Sequence, residues 1–344
     1  MTHALQFDAL ASSSLPPYCP APPPADLSAR QAADWWNGLG AQDQLAYQTY
    51  QPAGLGAMDG LPADVRHDAN LQVLRDDAAN GHDRQNAQAL LDRVESSWND
   101  RDTPDIYLLG YTPPGARNSP DAQVVASIGN PDTADNVGIY VPGTGSDLSN
   151  IRGSIDRADD LRAQADMIPG AGDNATIVWL GYDAPDTLLQ ASGAGAAEDG
   201  ADDLRAFTDG LRTSSQSPDA RLTIIGHSYG STIVGHADRL GTGGLAVDDI
   251  VVMGSPGLGV GNVDALHIDG AHFWAGMAND DSIRFTPGWI HGTNPVNAGY
   301  GSQRIDTGDV SGHSDYWNPG SESLRNQAYI MTGNPDMVST VPHR

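Results

Sequence analysis

The chain has 344 residues, which is long enough to bury a large core, and its hydrophobic fraction is 39%. No apolar run approaches the ~20 residues that span a bilayer. The first residues also lack the charged-then-apolar order of a secretory signal peptide. These features predict a soluble, cytoplasmic protein without a transmembrane segment, and they leave the oligomeric state open.

Acidic residues dominate the charge. The chain carries 44 Asp and Glu against 18 Lys and Arg, for a net charge of −26. Such a surface repels phosphate backbones, so nucleic acid is excluded as a partner. Cys19 is the only cysteine, which excludes an intrachain disulfide and a thiolate metal site.

The first hundred residues predict a helical segment. A Ser- and Pro-rich lead-in at 12–25 cannot continue a helix. Ser28 suits the N-cap of a first helix that carries Trp35 and Trp36, and we expect these indoles to pack the segment onto the following domain. Further helices are predicted at 42–50 and over 64–98, with an interruption near Asn80-Gly81. Residues 1–100 are thus predicted to be a lead-in and helical segment, and 101–344 the main domain.

Beyond residue 105 short apolar runs alternate with helical stretches, which is typical of a mostly parallel sheet with helices on both faces. The class is therefore α/β. The small, polar stretch 191–203 predicts a flexible loop near the mouth of a site. Strands are predicted at 106–111, 123–128, 137–141, 176–182, 222–225, 250–253, 272–277 and weakly near Ile305, and helices at 154–168, 201–214 and 230–240.

A nucleophile motif lies between a predicted strand and a helix. Residues 226–230 read Gly-His-Ser-Tyr-Gly, which fits G-x-S-x-G in the strand, turn and helix context that the motif requires. Side chains at Gly226 and Gly230 would collide with the neighbouring elements, while Ser228 sits strained and exposed at the tip. Because a serine hydroxyl is a poor nucleophile without a base, Ser228 predicts a histidine elsewhere.

Chain order suggests the partners of Ser228. The acid is expected after a later strand and the histidine after the last one. Asp281 and its neighbour Asp280 both follow the strand at 272–277, with Asp281 favoured by its place two residues before an isoleucine. His313 occupies the C-terminal loop position. Its competitor His291 follows Asp281 too closely to leave room for a helix and a strand.

An oxyanion hole needs two backbone N–H groups. The N–H of Tyr229, directly after the nucleophile, is the first candidate. The second is expected from the glycine-containing loop Pro-Gly-Thr-Gly after the strand at 137–141, where Thr144 is our choice.

Other site types fit less well. The loop at 142–147 lacks the lysine of a phosphate-binding loop and the spacing of a dinucleotide fingerprint. The acidic pairs Asp202-Asp203 and Asp248-Asp249 match no calcium loop. We therefore predict no metal and no cofactor.

Several sequence blocks together resemble an actinobacterial α/β-hydrolase family of largely unassigned substrate. They are a leading helical segment over 36–63, VPGTGS at 141–146, WLGYDAP at 179–185 and GHSYGS at 226–231. The resemblance covers about residues 30–330. A Trp-Asn-Gly turn at 36–38 is also similar to the W-x-G turn of small type VII secretion substrates, which would imply export without a cleaved leader.

These observations predict an α/β-hydrolase fold and a serine hydrolase. Ser228 would attack a small-molecule or lipid carboxylic ester to form an acyl-enzyme, with His313 as base, Asp281 (or Asp280) orienting it, and Tyr229 and Thr144 holding the oxyanion. Two alternatives stay open. One is a catalytically weak binding or secreted effector module on the same fold, and the other is an amidase or peptidase that uses the same triad.

Overall fold

The N-terminal part of the chain is helical, as predicted. The structure is a computed structural model that describes residues 18–116, 119–240 and 243–342, so the start of the Ser- and Pro-rich lead-in lies outside the described residues. Ser28 caps the first helix through a reciprocal capping box with Gln31, which confirms its predicted role. The helices are α1 Ala29–Gly38, α2 Ala41–Tyr50, α3 Pro52–Gly56, α4 Ala63–Asn80 and α5 Arg84–Asn99.

The two tryptophans have aromatic and apolar neighbours in the N-terminal segment. Trp36 is buried in a small second cluster with Leu55 and Leu61, and all members of this cluster belong to the N-terminal segment. Trp35 packs edge-on against Tyr47, with ring centroids 4.9 Å apart. The helix that carries both indoles also contacts the helix Gly195–Ser214 of the main domain, and apolar residues of α4 and α5 join the main core.

Within the described residues, eight strands form one sheet, in the order β1-β2-β4-β3-β5-β6-β7-β8. The two pairings of β2, with β1 and with β4, are antiparallel, and the others are parallel. The central strands are buried along their whole length, which explains their continuous apolar runs. The bounds are β1 Ile106–Thr112, β2 Gln123–Ile128, β3 Asn136–Val141, β4 Asn174–Leu180, β5 Arg221–His227, β6 Asp249–Met253, β7 Phe273–Gly276 and β8 Gln303–Arg304.

Helices pack against the strands of this sheet, and the α/β class is confirmed. Parallel strands end at the same edge, where the loops after β3, β5, β7 and β8 meet. Across the described ranges, every helix is too short or too polar to serve as a membrane span. The later helices are α6 Ile151–Asp166, α7 Gly195–Ser214, α8 Tyr229–Arg239, α9 Gly288–His291 and α10 Glu322–Met331.

The prediction of a flexible loop over 191–203 was wrong. Most of that stretch belongs to α7, and its small residues are the ones that pack. A Cβ on Gly200 would lie 2.7 Å from the side chain of Ile233 and 2.8 Å from that of Tyr182. The lack of large apolar residues therefore reflects a close approach between α7 and α8, not an absence of packing.

Candidate active site

Ser228 sits on a sharp turn between β5 and α8. Its backbone has φ 54° and ψ −129°, a region that non-glycine residues rarely adopt. Two flanking glycines make the turn possible. A Cβ at Gly226 would lie 2.7 Å from the Cα of Ser231, and one at Gly230 would lie 2.1 Å from the carbonyl oxygen of Val141. The predicted collisions and the strain at the serine are confirmed. The predicted exposure of Ser228 was wrong: the residue is buried, because the loop that carries Gly143 lies against it.

His313 and Asp281 form a hydrogen-bonded pair at the same edge of the sheet. His313 Nδ1 lies 2.8 Å from Asp281 Oδ2, and the Asp281 carboxylate is fully buried. Burial opposes ionisation of this carboxylate. Hydrogen bonds from His313, Tyr316 and the Ile283 N–H outweigh burial and hold the pKa of Asp281 below its ordinary value. The charged carboxylate thus favours the tautomer of His313 that carries its hydrogen on Nδ1.

Asp280 has a different position from its neighbour. Its carboxylate is exposed and accepts hydrogen bonds from the Ser311 hydroxyl and, at 2.8 Å, from the Gly312 N–H. These bonds lower the pKa of Asp280. Of the two candidate acids, the structure brings Asp281 to the imidazole, whereas Asp280 ties down the loop that carries His313.

Tyr316 is part of this arrangement and was missed by the sequence reasoning. Its hydroxyl donates to Asp281 Oδ2 at 2.6 Å and accepts from the Ala278 N–H at 3.0 Å. Burial, together with the neighbouring carboxylate, raises the pKa of the phenol. Its place three residues after His313 is the only hint in the sequence, since no local pattern marks a tyrosine as a support for a distant aspartate.

His227 holds the His313 loop from the other side. Its Nε2–H donates to the His313 carbonyl at 2.7 Å, and the two ring centroids are 4.8 Å apart. Burial lowers the pKa of His227 to about 3, helped by the nearby His313. His227 is therefore a neutral structural donor at ordinary pH.

The predicted oxyanion loop lies beside the serine. A Cβ on Gly143 would be 2.8 Å from both the Ser228 Cβ and the Tyr229 nitrogen, so a side chain there would fill the space over the nucleophile. Within the described residues, the Gly145 N–H donates to the Pro185 carbonyl. The backbone N–H groups of Thr144 and Tyr229 have no acceptor among the described residues. Both are thus available to a developing negative oxygen.

The competing histidine is placed elsewhere. His291 is buried, and its Nε2–H donates to the Ala191 carbonyl at 2.6 Å. Burial lowers the pKa of His291. It borders a cavity near Ser228 but is held by backbone, so its role is to position the Ala191 turn.

The two acidic pairs considered for calcium have other partners. Asp248 pairs with Arg212 at 2.7 Å, and Asp249 pairs with Arg221 and His272. Asp202 lies 3.5 Å from Arg205. The contacts of Asp248 and Asp249 tie helix and strand ends together, whereas the Asp202 pair lies within α7.

Two cavities of different character meet at Ser228, and both are bordered by Thr144 and His313 as well. One, of about 580 Å³, is mainly apolar. At its rim Leu188 is 78% exposed and Phe285 80% exposed. The other, of about 310 Å³, is polar. The apolar cavity is further lined by Ala191, Ile283, Pro287 and Ile290, and the polar one by Tyr140, Ser146, Asn150, Ser154 and Arg157.

The sheet order and the strained serine turn define an α/β-hydrolase. A family model described as alpha/beta hydrolase matches residues 118–289, half of the chain, and the chain belongs to this family. The resemblance seen in the sequence is confirmed at that level.

The relatives are mycobacterial proteins called uncharacterized. One from Mycobacterium tuberculosis is 28% identical over an alignment 389 positions long, which covers 92% of this chain and 58% of the relative. One from Mycobacterium bovis is 31% identical over 167 residues, 46% of this chain and 61% of the relative. The chain thus spans little more than half the length of the relatives it matches.

Solved structures with related folds are distant. The cutinase of Trichoderma reesei in complex with a phosphonate inhibitor has 15% identity and a TM-score of 0.36, covering 59% of this chain and 80% of that one. Esterase LipW from Mycobacterium marinum has 11% identity and a TM-score of 0.42, covering 77% and 90%. Likenesses at these scores carry no information on substrate or mechanism.

Proposed function

We propose that this protein is a serine hydrolase that cleaves carboxylic esters through an acyl-enzyme. The observation that carries the proposal is the strained Ser228 turn facing cavities that His313 also borders, with His313 hydrogen-bonded to a buried aspartate. Backbone strain of this kind persists only where the surrounding structure enforces it, and it clusters at functional sites.

Each step of the proposed reaction has a side chain or a backbone N–H group assigned to it. His313 takes the proton of Ser228 as the serine oxygen attacks the ester carbonyl. Asp281 holds the imidazole in the tautomer that has its free nitrogen on the far side from the carboxylate. The N–H groups of Tyr229 and Thr144 stabilise the negative oxygen of the tetrahedral intermediate. His313 then gives its proton to the leaving alcohol. In the second half of the reaction, His313 takes a proton from water as the water oxygen attacks the acyl group, and Ser228 leaves with that proton.

The two cavities suit different parts of the substrate. The apolar cavity suits an aliphatic acyl chain, because burial of each methylene stabilises binding by about 0.8 kcal/mol. The polar cavity on the other side of Ser228 suits the alcohol portion. The substrate class is therefore an ester of an apolar acid with a polar alcohol.

Experiments distinguish two alternative hypotheses from the proposed esterase. An amidase or peptidase uses the same groups, so hydrolysis of matched amides and esters distinguishes them. A binding or effector module without catalysis would leave Ser228 unreactive.

The test combines a fluorophosphonate probe with turnover of p-nitrophenyl butyrate. We expect the probe to label the parent protein at Ser228 and the Ser228→Ala variant not at all. Turnover by the variant should fall by about 10³-fold or more. A Ser228→Ala protein that hydrolyses the ester at the parent rate, with its unfolding temperature unchanged, would show that the proposal is wrong.

A further inference from the structure

The polar cavity beside Ser228 has an unusual charge for this protein. No aspartate or glutamate lines it among the described residues, although the chain carries 44 acidic residues and a net charge of −26. Of its described lining residues, Arg157 on α6 carries a guanidinium. The acidic composition of the protein does not account for a cation beside the nucleophile.

Arg157 has no carboxylate partner within the described part of the chain. Its guanidinium donates one hydrogen bond, to the Tyr140 hydroxyl at 3.2 Å, and its Cζ lies 5.7 Å from the centre of the Trp317 ring. Other arginines of the same helix are paired: Arg162 lies 3.0 Å from Asp159, and Arg152 lies 4.0 Å from Asp156.

These contacts orient the guanidinium and leave donors free. A guanidinium has five N–H groups, and Tyr140 occupies one of those on Arg157. The Trp317 ring restrains its position by a cation–π contact. The remaining N–H groups suit the two oxygens of a carboxylate or phosphate, which arginine binds in a bidentate manner.

We propose that Arg157 binds an anionic group, a carboxylate or a phosphate, on the alcohol portion of the ester. This inference rests on the proposed function. With the acyl chain in the apolar cavity, the alcohol extends from the carbonyl into the polar one, past Thr144 and His313, which border both. Arg157 is then the residue that determines specificity for the leaving group.

The test uses butyrate esters of three alcohols: phenol, 4-hydroxybenzoate and 4-hydroxyphenyl phosphate. For each protein, kcat/KM of an anionic ester is divided by kcat/KM of the phenyl ester. We expect this ratio to fall by about tenfold in Arg157→Gln, mostly through KM, and by less in Arg157→Lys, which keeps the charge without the fork. The two anionic esters show which anion the site prefers.

Arg152→Gln is the matched control. It removes the same charge from the same helix, but Arg152 is 83% exposed and does not line the cavity. We expect its ratio to equal that of the parent. An unchanged ratio in Arg157→Gln, or an equal fall in both variants, would overturn the proposal. The p-nitrophenyl monoester of glutaric acid has its carboxylate on the acyl side. If its hydrolysis depended on Arg157 more strongly than hydrolysis of the anionic alcohol esters, the proposal would also be overturned.

A binding measurement separates failure of this inference from failure of the proposed function. Calorimetry with phenyl phosphate and benzoate on Ser228→Ala needs no turnover. We expect about tenfold weaker binding when Arg157→Gln is added. If Ser228 proves unreactive and this loss is still seen, the anion site stands and the esterase proposal fails. Equal binding by the two proteins would overturn the anion site.

Discussion

Replacing Asp281 by asparagine removes the charge that holds His313 while keeping almost the same shape. The parent carboxylate lies 2.8 Å from His313 Nδ1, accepts from Tyr316 at 2.6 Å and is fully buried. An amide NH₂ facing Nδ1 would favour the opposite tautomer and leave a hydrogen on the nitrogen that, in the proposed mechanism, takes the proton of Ser228. We expect kcat to fall by about 10⁴-fold, equivalent to roughly 5.4 kcal/mol of transition-state stabilisation.

Asp280→Asn is the matched control for this loss. Asp280 is the neighbouring residue with the same chemistry, and its exposed carboxylate contacts Ser311 and Gly312 instead of the imidazole. An asparagine there can still accept from the Gly312 N–H, so we expect kcat to change by no more than about threefold. Both variants are assayed with p-nitrophenyl butyrate at pH 8. If Asp280→Asn loses as much activity as Asp281→Asn, the assignment of the acid is refuted.

Three further predictions concern the surroundings of the site. Tyr316→Phe leaves the Ala278 N–H unpaired and loosens Asp281, so we expect kcat to fall about tenfold and the free energy of unfolding by about 1–3 kcal/mol in urea titrations. His227 has its pKa lowered from 6.5 to about 3 in the folded state, so the unfolded state binds its proton first, and stability falls as the pH drops through that window. The loss from pH 7 to pH 4 should be smaller by about 3 kcal/mol in His227→Gln, and an equal loss in both proteins would contradict this. Gly230→Ala places a Cβ against the Val141 carbonyl and should cost about 3 kcal/mol in thermal unfolding, whereas Gly153→Ala, in open space on α6, should be neutral or stabilising.

How much of the site the sequence predicts depends on how local each signal is. The Ser228 turn is fully local, because strand, glycines and helix lie within about twenty residues, and its strained backbone follows from them. The pairing of Asp281 with His313 depends on where β7 ends, and a shift of one residue would exchange Asp281 for Asp280. The order of the elements along the chain reduces the candidates for the acid to Asp280 and Asp281, but it does not decide between them.

Other features depend on contacts that no sequence pattern marks. Tyr316 and Arg157 act across the fold, and Arg157 differs from the neighbouring arginines only in what surrounds it. The stretch 191–203 looks like a loop because its residues are small, yet small residues are what α7 needs to approach α8. The division into segments 1–100 and 101–344 stays a prediction, with the apolar residues of α4 and α5 already part of the main core.

The most direct measurement of the proposed chemistry is trapping the acyl-enzyme. The protein is mixed with p-nitrophenyl butyrate, quenched in acid within the first turnover and digested for mass spectrometry. We expect a butyryl group on the peptide that contains Ser228, and none in Ser228→Ala. Turnover without any adduct on that peptide, or an adduct on a different serine that persists in Ser228→Ala, would contradict nucleophilic catalysis by Ser228.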